Sequence, residues 1–131
     1  MKRKLSYKGL QEGIRTLKTP KIDVWRNQYA DKDYVITLEN PEFTCVCPKT
    51  GLPDFANINI QYKPDKWCIE LKSFKLYMLF YRNIGIFHEH VINKILDDFV
   101  AACKPRCVNI KGEFNIRGGV KTTVITEYKR S

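Results

Sequence analysis

The stretch FANINIQYK, residues 55–63, alternates apolar and polar side chains without a break. Ala56, Ile58, Ile60 and Tyr62 fall on one face of an extended chain, and Asn57, Asn59, Gln61 and Lys63 fall on the other. That pattern predicts a strand with one face buried and one face wet. A sheet is therefore required, and one side of it needs an apolar cover.

The cover is readable downstream. Val91, Ile92, Ile95, Leu96, Phe99, Val100 and Cys103 recur at helical spacing on one stripe. This helix runs from about His88 to Cys103, and Pro105 ends it. A first helix precedes it, with Ser73 as its predicted cap and Asn83-Ile84-Gly85 as its break. Residues 34–38 (YVITL) read as a strand, and residues 67–71 (WCIEL) as the return strand after a Pro64-Asp65 turn. Residues 107–116 place Val108, Ile110, Phe114 and Ile116 on one face, and residues 120–128 form the last strand. The order is ββ-αα-ββ: an α+β domain with an antiparallel sheet and two helices on one face. Residues 1–30 are basic and weakly patterned, an expected N-terminal arm or lead-in to a single domain over 31–131. The polar sheet face fits plain solvent exposure. It also fits several copies joined edge to edge around a wet barrel, which would protect the sheet edges.

The chain has 131 residues, long enough for one self-sufficient core. Its 23 Lys and Arg outweigh 14 Asp and Glu, a net +9 that suits an anionic partner or a basic solvated surface. No apolar run approaches the roughly 20 residues of a membrane span. The start, MKRKLSYKG, has no apolar stretch behind it, so a cytoplasmic protein is expected. Five cysteines, an odd number, argue for reduced thiols over a disulfide framework.

Two of those cysteines stand in FTCVCPKTGLPDFANI, residues 43–58. As zinc ligands, Cys45 and Cys47 with His88 and His90 have suitable chemistry but unsuitable spacing: CxC and HxH match none of the usual patterns. As a nucleophile, Cys47 is better placed. Pro48 ends the strand after it, and Pro48, Gly51 and Pro53 give the following turn a defined path. Lys49 favours the thiolate. Asp54 would lie near the sulfur, where a like charge and burial would keep it protonated and able to donate. The plainer alternative for Cys47 is a small buried hydrophobe.

FHEH, residues 87–90, opens the second helix. Glu89 there either compensates the helix dipole or accepts two parallel hydrogen bonds from a guanine-type edge, with His88 beside it. ELKSFKLY, residues 70–77, places Lys72 and Lys75 at a helix start, suited to phosphate or simply exposed. RGG at 117–119 fits no P-loop, and no GxGxxG occurs, so a Rossmann site is excluded.

Together, FTCVCPKTGLPDF, ELKSFKLY, FHEH and the late RGG resemble the short nitrile reductases of the QueF type. These are NADPH-dependent 7-cyano-7-deazaguanine reductases of queuosine biosynthesis, a tRNA modification. The resemblance runs from about residue 30 to the C-terminus. It implies the tunnelling fold (T-fold), subunits joined into barrels, and reduction of a nitrile to an amine with two NADPH. By position it implies Cys47 as the nucleophile forming a thioimide and Asp54 as the proton donor. It implies Ile69, Glu70, Leu71, His88 and Glu89 around the base, and Lys72, Lys75, Arg117 and Gly118 on NADPH. It implies a homo-oligomer with sites at subunit interfaces, and no metal, membrane or direct nucleic-acid partner. Cys45 stands where such reductases are expected to carry a small residue such as serine, and Leu52 where glutamine is commoner. Two other readings stand beside it: a zinc-dependent cyclohydrolase-like hydrolase on the same fold, and an RNA-binding module suggested by charge and aromatics.

Overall fold

The computed structural model describes residues 11–130. The basic start, MKRKLSYKG, lies outside the described residues.

Six strands form among the described residues: β1 (Val24–Arg26), β2 (Ile36–Val46), β3 (Pro53–Lys63), β4 (Trp67–Ile69), β5 (Cys107–Phe114) and β6 (Thr123–Lys129). Four of them make an antiparallel sheet in the order β2-β3-β5-β6. Central β3 is the alternating segment. Ala56, Ile58, Ile60 and Tyr62 are all buried, and Val108, Ile110 and Phe114 of β5 continue that face. Two helices, α1 (Leu71–Phe80) and α2 (His88–Cys103), supply the cover. The predicted stripe on α2 is buried, with Val100 half-buried at its margin. The other sheet face is polar, with Asn57 donating to Glu39, and Lys111 and Lys121 paired to Glu113.

The strands differ from expectation in instructive places. β2 is longer than residues 34–38, because a bulge between Asn40 and Phe43 carries the chain past Pro41. A proline has no N–H to lose at such a site on an edge strand. Residues 67–71 do not return along β3. β4 pairs instead with β1, inside what the sequence suggested was a lead-in. Asn27 ties this two-stranded sheet together, its N–H on the Lys66 carbonyl at 2.9 Å and its side chain on the Asp65 carbonyl at 2.8 Å. β5 ends at Phe114, so Ile116 is exposed rather than on the core face. The chain then turns through Gly118 and Gly119, both at positive φ.

Ser73 does not cap α1. Glu70 does, accepting from the Lys72 N–H at 2.7 Å and the Ser73 N–H at 2.8 Å. The Ser73 hydroxyl instead accepts from the Asp23 N–H at 2.8 Å. After α1 a short 3₁₀ turn, Tyr81–Asn83, leads to Gly85, which bridges Val46. The Val46 N–H donates to the Ile84 carbonyl and the Ile86 N–H donates to the Val46 carbonyl. This bridge sets the start of α2 against the end of β2.

Candidate active site

Cys47 follows β2 directly. Its N–H donates to the Leu52 carbonyl and its carbonyl accepts from the Gly51 N–H, each at 2.9 Å. The turn closes because Gly51 takes φ +73°, which glycine adopts without strain. Burial pushes the Cys47 thiol up and the Asp54 charge adds to that. Hydrogen bonds from the Thr50 hydroxyl and the Thr50 and Lys49 backbone N–H groups outweigh both and lower it. Lys49 thus acts through its main chain here, where the sequence suggested its charge.

Asp54, the second residue of β3, is buried. Its Oδ2 lies 3.1 Å from His88 Nε2 and its Oδ1 3.4 Å from Arg117 Nε. Arg117 also donates through Nη2 to the Pro53 carbonyl. The His88 ring lies flat on Phe114, centroids 3.8 Å apart and planes 8° apart. A single chain therefore brings together the end of β2, the start of β3, the start of α2 and the turn after β5. Glu89, one residue past His88, is exposed at the first turn of α2.

Cys45 is fully buried opposite Asp54 in the β2–β3 register, and burial pushes its thiol up to about 12. His90 is turned to Gln11. Among the described residues no three His, Cys, Asp or Glu side chains form a group that could hold a metal ion.

The remaining predicted residues lie elsewhere. Asp54 and Tyr62 are at opposite ends of β3, about 26 Å apart at strand rise. The Ile69 N–H donates to the Tyr62 hydroxyl at 3.1 Å, so Ile69, Glu70 and Leu71 sit at the far end from Cys47. Ile69 is buried, Glu70 is the α1 cap, and Leu71, Lys72 and Lys75 are exposed.

The family described as QueF-like protein matches residues 53–131. This chain belongs to that family. It is 57% identical over 110 residues to the NADPH-dependent 7-cyano-7-deazaguanine reductase of Chlorobaculum tepidum, covering 84% of this chain and 94% of that one. The reductase of the same name from Nitrosococcus oceani is 52% identical over 109 residues, covering 83% and 84%. The one from Elusimicrobium minutum is 54% identical over 113 residues, covering 86% and 85%. Among solved structures, the apo archaeosine synthase QueF-Like superposes with a TM-score of 0.68, covering 74% of this chain and 95% of that one. At 24% identity that likeness speaks for the fold alone.

Within this QueF-like chain, three side chains at the site make contacts that the sequence reading missed. Thr50 holds the Cys47 sulfur, Phe114 is the platform under His88, and Arg117 reaches Asp54. Thr50 could have been suspected, since a hydroxyl three residues after a turn cysteine is within local reach. The other two depend on long-range register. The assembled site has a poised thiol, a buried carboxyl, an imidazole bonded to it, and an exposed carboxylate close by in sequence. Such a set can attack an electrophilic carbon and pass a proton to the atom beside it.

Proposed function

We propose that the protein reduces the nitrile of 7-cyano-7-deazaguanine to the aminomethyl group, consuming two NADPH, in the synthesis of queuosine. The observation that carries this reading is the Cys47 turn. Its thiol is held below the ordinary value by three local hydrogen bonds, within electrostatic reach of the Asp54 that pairs with His88. Membership of the QueF-like family and 57% identity to a reductase of that name support the substrate and cofactor.

The chemistry follows from the side chains. The Cys47 thiolate attacks the nitrile carbon: a sulfur lone pair becomes the C–S bond, and one π pair of C≡N moves onto nitrogen. The nitrogen takes a proton from Asp54 in its protonated form, giving a thioimide. Two NADPH molecules, bound one after the other, would each supply one hydride. After the first, the carbon carries sulfur and an amine, and expulsion of the Cys47 thiolate leaves an imine. Two hydrides and two protons in all convert the nitrile to the amine. Glu89 and His88 hold the base, with Glu89 accepting from adjacent N–H groups of its edge.

The residues present suit a phosphate-bearing cofactor. Lys72 and Lys75 offer exposed ammonium groups, and Arg117 a guanidinium. At Gly118 a Cβ would meet nothing within 4 Å, so backbone there is open to close approach.

Ile69, Glu70 and Leu71 reach the base from a second copy of the chain. Their position at the far end of β3 supports this, since one chain alone holds only half of the set. β2 and β6 are the two edges of the main sheet, the natural places for copies to join into a barrel.

The test is mass spectrometry of the intact protein after incubation with 7-cyano-7-deazaguanine and no NADPH. A mass gain equal to the substrate, absent in Cys47→Ala and discharged by NADPH, is expected. No adduct and no NADPH oxidation by the wild type would overturn the reading.

A further inference from the structure

We infer that Gln11 is a positioning residue for the His88–Glu89 end of the site, a role that rests on the nitrile-reductase reading. Helix α2 begins without a local side-chain cap: Phe87 occupies the capping position and has no side-chain oxygen to offer. Gln11 supplies an acceptor from 76 residues away. Its Oε1 accepts from the Phe87 N–H at 3.1 Å and from His90 Nδ1 at 3.0 Å. Its Nε2 donates to the Gly85 carbonyl at 3.3 Å. One amide thus spans the loop and first turn that carry His88 and Glu89, gripping it on both sides of those two residues.

The opposite side of the same loop is held by main chain, through the Val46 bridge to Ile84 and Ile86. Gly85 itself is exposed. Gln11 is in turn anchored by the residues just after it. Ile14 and Leu17 pack on the core, and Arg15 pairs with Asp97 of α2 at 3.6 Å. A carboxamide suits the position because its oxygen accepts from Phe87 while its nitrogen donates to Gly85. With the loop fixed, Glu89 is held ready for two parallel hydrogen bonds, whose strength depends on angle as well as distance.

The experiment compares wild type with Gln11→Ala, Gln11→Glu and Gln11→Asn, each as the full chain. Affinity for 7-cyano-7-deazaguanine is measured by titration in a Cys47→Ala background, and KM for NADPH and kcat with Cys47 intact. Gln11→Ala is expected to weaken base binding about tenfold, the scale of one to two lost hydrogen bonds, with KM for NADPH unchanged. Gln11→Glu keeps both acceptor contacts but sets a carboxylate oxygen against the Gly85 carbonyl, so its affinity is expected to fall between those of Gln11→Ala and wild type. Gln11→Asn, one methylene too short, is expected to behave like alanine and serves if Gln11→Ala does not fold. Unchanged base affinity in a folded Gln11→Ala or Gln11→Asn overturns the inference alone. So does an equal loss in Gln11→Glu, or a matching rise in KM for NADPH, because either means general loosening. A wild type that neither binds nor reduces the nitrile overturns the reading of the site, and this inference with it.

Discussion

Asp54 and His88, 34 residues apart in sequence, meet at 3.1 Å where the start of β3 faces the start of α2. The imidazole is held in place, because Phe114 lies flat against it. In the proposed reaction, attack on the nitrile needs a proton donor held in one orientation, since charge develops on nitrogen as the C–S bond forms. Asp54→Asn is expected to slow thioimide formation by roughly 10²–10⁴, the usual contribution of a positioned acid. Affinity for the base should stay within a small factor of wild type. Single-turnover mass spectrometry reads the first quantity and titration the second.

Cys47 should react faster than the buried cysteines. Its thiol is lowered despite partial burial, while Cys45 and Cys103 are both pushed up to about 12 by burial. Brief treatment with iodoacetamide at neutral pH should label Cys47 and spare the other two. Removing the Thr50 hydroxyl removes a bond that favours the thiolate, so Thr50→Val should move the alkylation midpoint to higher pH. A midpoint that does not move would mean that the two backbone N–H groups suffice.

The α1 cap predicts a pH-dependent loss of stability. Hydrogen bonds from the Ser73 and Lys72 N–H groups hold Glu70 below the ordinary glutamate range. A carboxyl lowered by folding stabilises the fold fully above its unfolded value, and that contribution fades as pH falls through the folded value. Glu70→Ala should therefore lower Tm at neutral pH and converge with wild type in acid. Thermal melts across that range check it.

Gly112 is a packing constraint. A Cβ there would sit 2.5 Å from Ile92 Cδ1 and 2.9 Å from Ile92 Cγ1, and Ile92 is itself fully buried. Gly112→Ala should cost about 1–3 kcal/mol by overpacking. Ile92→Val trims the clashing methyl, so the double variant should recover part of the loss. Denaturant unfolding of the two singles and the double measures the coupling.

The sheet and its cover were legible because both rest on periodicity. In FANINIQYK and in the α2 stripe, the residues that spacing predicted to face the core do so. Cys47 and Asp54 were legible as a nearby pair because a turn of a few residues fixes their relation. The pairing of β1 with β4 was not legible, since strands of three residues carry too little pattern to beat a turn signal such as Pro64-Asp65. In the sequence Glu70 reads as a ligand contact and Ser73 as the cap, although either residue type can cap a helix. The choice between them was made by Asp23, which occupies the Ser73 hydroxyl from 50 residues away. The contacts of Arg117 and Gln11 escaped for the same reason: their partners at the site come from distant sequence.

The length of β3 has a kinetic consequence. With Asp54 at one end and the Tyr62–Ile69 contact at the other, the two groups of residues proposed to hold the base are too far apart in any one chain to share a ligand. If each working site borrows from a neighbour, turnover per chain ceases to be a constant of the protein. Velocity should fall faster than protein concentration once dilution passes the point where neighbours part. It should return with a lag when the solution is concentrated again, because re-pairing must precede the first turnover.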